Sequence, residues 1–191
     1  MKHFAPITAL CVAAAASACS SAGADEAPAP ATAAMRDGQH DFDFNIGTWK
    51  THIRRATHPL SGSKDVVELD GTVTVRKVWG GRAQLEEIEA DGPNGHWEGL
   101  TLFLYNPKAA QWGQYFVDSA QGTFAGGTIG EFHNGRGDLY QQDTYNGRSI
   151  LVRGTWSGIT PEAHDYQEFF SIDGGKTWET VFSAHLTRVS S

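Results

Sequence analysis

The chain has 191 residues and a formal charge of −7, which fits one domain of ordinary size and excludes a basic surface for nucleic acid. Twenty-two glycines and six tryptophans, with only 19% charged residues, suggest many turns between aromatic-rich strands rather than long charged helices. The same composition excludes a disordered chain.

In chain order, Lys2 and His3 precede an apolar run over 7–18, broken by Thr8 and Ser17, that is too short to span a bilayer but matches a signal-peptide core. It ends in Ala16-Ser17-Ala18-Cys19, which resembles a bacterial lipoprotein signal in which Cys19 becomes the lipidated first residue, although Ala16 stands where leucine is commoner. The alternative cut follows Ala22-Gly23-Ala24 and releases a soluble periplasmic or secreted protein. The lipidated form is expected at the bacterial cell envelope, with a lone acyl chain as its only membrane contact. Cys11 and Cys19 are the two cysteines, so the folded part holds no disulfide. The expected division is a signal over 1–18, an Ala/Pro-rich flexible tether over 19–39 and a β-domain over 40–191.

From Asp41 onward turn signals recur about every ten residues, including Gly80-Gly81, Asn134-Gly135, Asn146-Gly147 and Asp173-Gly174-Gly175. Strands are expected over 44–56, 65–78, 83–90, 96–105, 111–118, 123–133, 137–145, 148–156, 165–172 and 177–188. Short links make neighbours antiparallel, and about ten such strands predict a single up-and-down β-barrel, since an open sheet of that size leaves two long edges. Asn146-Gly147 as a type I′ turn pairs Tyr145 with Arg148, Asp143 with Ile150 and Tyr140 with Arg153, so Asp143 and Arg153 face opposite ways. In the last strand Phe182, Ala184, Leu186 and Arg188 share the expected inner face, which turns His185 outward.

Gly47-Thr48-Trp49 opens the first strand and Arg188 ends the last, a pairing similar to the lipocalin and calycin superfamily, in which the tryptophan closes one barrel end under a late arginine. Barrel closure is therefore assigned to Trp49 and Arg188, joined by cation–π attraction. More widely, Asp43-Phe44, Leu104-Tyr105-Asn106-Pro107, Gln111-Trp112, Phe132 with Asn134-Gly135-Arg136-Gly137, and Asp173-Gly174-Gly175-Lys176-Thr177-Trp178 resemble the bacterial family called domain of unknown function 1579. That resemblance implies a lipocalin-like barrel and no established activity. Ser171 to Trp178 also matches the Asp-box of sialidases, but a propeller needs several copies, so the segment is read as a stiff turn held by Asp173.

Chemistry-bearing residues are sparse. Glu86, Glu87, Glu89 and Glu98 form the densest acidic group, in which Glu87 and Glu89 share one face and Glu86 the other with Ile88. Glu87, Glu89, Tyr105, Asp118, Tyr140, Arg153 and Glu168 are the candidate ligand-binding residues, as polar groups set among apolar walls. The eight histidines show no metal spacing, and no catalytic residue is assigned. The Ala184-His185-Leu186 stretch is similar to the haem-ligating segment of nitrobindins, so haem through His185 is a minor alternative to a protein without cofactor. The leading reading is an exported barrel binding a small, mainly apolar molecule or lipid. A cofactor-free isomerase or hydrolase using a cavity carboxylate, and a structural envelope protein with a filled barrel, are the alternatives.

Overall fold

The computed structural model describes residues 36–124 and 126–189, so the signal segment and Cys19 lie outside the described residues. Ten strands follow in order: β1 (Gly47–Ala56), β2 (Val66–Val78), β3 (Ala83–Gly92), β4 (Gly95–Asn106), β5 (Gln111–Asp118), β6 (Thr128–His133), β7 (Arg136–Tyr145), β8 (Arg148–Ser157), β9 (Ala163–Ser171) and β10 (Glu179–Arg188). Each pairs antiparallel with its sequence neighbours, and β1 pairs with β10 to close the barrel and remove both sheet edges. The expected up-and-down barrel is the fold.

The β7–β8 register runs from Tyr145 opposite Arg148 through Asp143 opposite Ile150 to Tyr140 opposite Arg153, as the Asn146-Gly147 turn requires. Asn146 and Gly147 both take positive φ, 48° and 75°, the signature of a type I′ loop. On β10, Ala184 and Leu186 are buried while His185 is exposed and bonds Asp165 Oδ1 through Nδ1 at 2.7 Å.

Two strand expectations are corrected. Residues 44–46 do not extend β1: Asp43–Asn45 form a single 3-10 turn, which carries the fully buried Phe42 and Asn45 beneath the barrel. β6 begins at Thr128 rather than near 123, because the Tyr115 ring lies against Gly127 where a side chain would sit. As a result only Trp112–Gly130, Gly113–Ile129 and Gln114–Thr128 pair β5 with β6. The packed chain also starts before His40. Gly38 O accepts Trp112 Nε1 at 2.8 Å, and the Tyr105 hydroxyl donates to Asp37 Oδ1 at 2.9 Å.

Packing divides the interior by height. At the end where β1 starts, Phe42 touches Phe103, Trp112, Phe132 and Trp156 with ring centroids 4.8 to 5.5 Å apart. Each such ring removed from water contributes roughly 2–3 kcal/mol, and their edge-to-face geometry adds to it. This end is a solid aromatic plug. The opposite end, where β1 stops and β2 begins, is not filled.

Candidate functional site

The plug sets the floor of the site. Trp49, fully buried, donates from Nε1 to Asn45 O at 2.8 Å, and the Arg188 guanidinium lies 4.0 Å over its ring. Arg188 also donates to the backbone carbonyls of Phe44, Ile46 and Pro161, so it ties the turn below the barrel to both adjoining walls. Gly47 allows this approach: at φ +132° it is in the glycine-only region, and a Cβ there would stand 2.5 Å from Arg188 Nη1. The closure assigned to Trp49 and Arg188 is thus present as a contact.

Above the floor the barrel encloses a chamber of about 610 Å³ that opens at the far end, where Thr57, Pro59, Gln121 and Gly126 form part of the rim. Its walls are mostly apolar, with Ile53, Val73, Ile88, Val152 and Phe182 among them. The volume suits a drug-sized molecule.

The chamber's polar groups come from strand alternation. On β3 the inward set is Gln84, Glu86, Ile88 and Ala90, so the structure puts Glu86 inside and leaves Glu87 and Glu89 exposed on the outer face. The apolar Ile88 and Ala90 share parity with Glu86, but Leu85 shares it with Glu87 and Glu89, so alternation alone leaves the inward set open. Glu86 accepts from Thr101 Oγ1 at 2.7 Å and from Asn45 Nδ2 at 3.2 Å. Burial raises its pKa, against these two donors, which favour the ionised form.

Glu168 also lines the chamber, between Tyr166 and Phe170 on β9. Burial raises its pKa to about 7, opposed by the Tyr166 hydroxyl 3.5 Å away and assisted by the negative charge of Asp143. Tyr166 itself is pushed well above the ordinary phenol range, chiefly by burial. Gly154, across from Glu168 on β8, makes room for this pair, since a Cβ there would fall 2.8 Å from the Tyr166 hydroxyl. Asp118 sits at the rim, held by the Gln121 backbone N–H at 2.7 Å.

The remaining candidates lie elsewhere. Tyr140 and Arg153 face outward: Tyr140 is 46% exposed, and Arg153 stacks 4.5 Å from the rings of both Phe169 and Trp178. Tyr105 points inward but belongs to the plug, where it binds the backbone of Gly38. Of the seven ligand-binding candidates the structure brings Asp118 and Glu168 together in the chamber. It adds Glu86, Asp143 and Tyr166.

His185 does not fit an interior haem, because it points away from the chamber and its Nδ1 is engaged by Asp165. The inward histidine is His164, fully buried with its ring centroid 4.3 Å from Trp49 and 5.0 Å from Phe44. Both of its ring nitrogens lack a hydrogen-bond partner among the described residues, and burial lowers its pKa to about 4. Among the described residues no group of three His, Cys, Asp or Glu side chains is placed to hold a metal ion. Asp173 forms the stiff turn foreseen for it, accepting the backbone N–H groups of Lys176 and Thr177 and the hydroxyls of Ser171 and Thr177.

No family model matches the chain, and no curated protein matches it. Among solved structures, the S-type phycobiliprotein lyase CPES from Guillardia theta is similar at TM-score 0.56 and 13% identity, over 82% of this chain and 94% of that one. A redesigned beta barrel, mFAP0, bound to DFHBI, is similar at TM-score 0.43 and 12% identity, over 76% of this chain and 99% of that one. At these identities the likeness concerns the barrel fold.

Proposed function

We propose that this chain is a binding module that holds one small, mainly apolar molecule in the open half of its barrel. The observation that carries the reading is the chamber of about 610 Å³, walled by apolar side chains and floored by the plug. A barrel interior filled throughout, as a purely structural role would require, finds no support in that volume. The fold shared with a barrel lyase is compatible with a small ligand.

We further propose that the protein is exported and tethered through lipidated Cys19, and that it belongs with the family of unknown function its motifs resemble. Loss of membrane fractionation in Cys19→Ala is the expected result for the tether, and unchanged fractionation contradicts it. For the chamber, native mass spectrometry of the purified protein is expected to reveal one non-covalent small molecule per chain. Its presence should be abolished in Ala184→Phe, which places a ring in the chamber wall. A bound mass that persists in that variant would contradict the assignment.

One observation favours a second reading as a cofactor-free enzyme. Glu168 titrates near neutrality beside Tyr166 inside an apolar chamber, the condition under which a carboxyl exchanges protons at pH 7. A co-purified molecule recovered chemically unchanged after prolonged incubation supports the carrier, whereas conversion that Glu168→Gln stops supports the enzyme.

A further inference from the structure

The polar side of the chamber is markedly one-signed. The charged residues lining it, among the described residues, are Glu86, Asp118, Asp143 and Glu168 against Arg55 alone, and Arg55 sits at the rim end of β1. Acidity alone would describe any solvated mouth. Here it coincides with aromatic rings: Tyr145 and Phe170 pair at 5.6 Å, Tyr166 and Phe182 at 6.0 Å, and Trp156 and Tyr166 at 4.8 Å, all lining the chamber, with Tyr166 and Phe170 flanking Glu168 on β9 and Phe182 opposite it on β10. A carboxylate within a ring of π-faces is the arrangement that stabilises an organic cation, through charge on one side and ring quadrupoles on the others. Hydrophobic anions gain from neither.

The chamber also contains hydrogen-bonding groups with no protein partner. Thr51 and Thr128 are 4% and 6% exposed, line the chamber, and leave their hydroxyls unpaired, as does the Oε1 of the lining residue Gln141. Unpaired buried polar groups cost stability unless something bonds to them, and an ammonium N–H or a ligand hydroxyl supplies the missing donors.

We propose that the ligand is an organic ammonium, an apolar body with one positively charged nitrogen, whose charged end lies against Glu168 within the ring of Tyr145, Trp156, Tyr166, Phe170 and Phe182. The inference rests on the chamber being the binding site and adds the class of molecule it takes. The aliphatic walls around Ile53, Val73 and Ile88 receive the body, and the plug limits its length. Ligand charge is then the discriminating property, because an alcohol of the same length keeps the apolar contacts and loses the ionic one.

The test uses the full chain and three probes of equal chain length: octylammonium, octanol and octanoate, each displacing the neutral dye Nile red. The ammonium is expected to displace the dye at a concentration ~10-fold below that of octanol, with octanoate the weakest. Glu168→Gln should abolish the advantage of the ammonium over octanol, each displacement being read against the variant's own dye affinity. On the unaltered protein the same advantage should fade between pH 8 and pH 5.5 as Glu168 takes up its proton. The other charged or titratable groups facing Glu168 are Tyr166 on its own strand, Asp143 and Tyr145 on β7, Glu86 on β3, Asp118 on β5 and Arg55 on β1. Octanoate binding as tightly as the ammonium, or an advantage that survives both Glu168→Gln and acidification, would overturn the ammonium class and leave the chamber reading intact. Failure of Nile red and every probe to bind would overturn both.

Discussion

At Glu168 the barrel holds a carboxyl whose folded pKa of about 7 lies above the ordinary 4.5, mainly because of burial. Below pH 4.5 both folded and unfolded chains carry that proton, but between 4.5 and 7 only the folded chain does, so stability falls as pH rises through this window. Glu168→Gln removes the loss, and urea unfolding at pH 8 is expected to show the variant more stable than the parent by about 1–3 kcal/mol, with no difference near pH 4. His164 acts in the opposite sense. Its folded pKa of about 4 lies below the ordinary 6.5, so the unfolded chain protonates first and stability falls as pH drops between those values. His164→Leu should abolish that acid loss of ~2–3 kcal/mol, measured by urea unfolding at pH 7.5 and pH 4.5. The two residues differ in how far the sequence reveals them. Glu168 stands out as a carboxyl between Tyr166 and Phe170, whereas His164 falls one residue before the expected start of its strand. Glu86 was legible from its parity with Ile88, but the paired Glu87 and Glu89 competed with it because alternation groups residues without saying which group faces inward.

Element by element, the plug explains why the barrel has one closed end. The Asp43–Asn45 turn brings Phe42 and Asn45 beneath the strands, Asn45 meets Trp49 and Glu86, and Arg188 clamps the turn from β10. Arg188→Ala removes the stacking on Trp49 and three bonds to backbone carbonyls, and is expected to destabilise by about 1–3 kcal/mol in thermal or urea unfolding. A change under about 0.5 kcal/mol would mean that the clamp is only a surface contact. The weak element is the β5–β6 seam, with three registered pairs, so Tyr115 to Asp118 lack a strand on that side. Hydrogen exchange is expected to be faster for the β5 amides turned toward β6 at 115–118 than for β7 and β8 amides, and equal protection would contradict an open seam. Strand positions were legible because Gly and Asn turns punctuate the chain and the Asn146-Gly147 loop dictates its own register. The two misreadings, 44–46 and the expected start of β6 before Thr128, both occur where aromatic residues look strand-like in isolation. There the tertiary demand for a plug, and for Tyr115 to lie over Gly127, overrides local propensity.

For the whole molecule, ten short-looped strands close on themselves, one half of the interior is filled with aromatic rings, and the other half is left hollow with its acidic groups turned in. Closure follows from the absence of long connections, which sequence patterning reveals. The division into a filled and a hollow half does not, because it depends on how far Phe42, Trp112 and Trp156 reach across the lumen from different elements. The same dependence turned Arg153 and Tyr140 from pocket candidates into an outer stack with Trp178. The claim that unites these features is that the hollow half takes up one apolar molecule. An equilibrium titration with Nile red tests it: the chain is expected to bind one dye with a blue-shifted emission, and Ala184→Phe and Ile53→Phe, both folded by thermal melt, to bind none. Dye uptake that is absent in the parent, or unchanged in both variants, would contradict it.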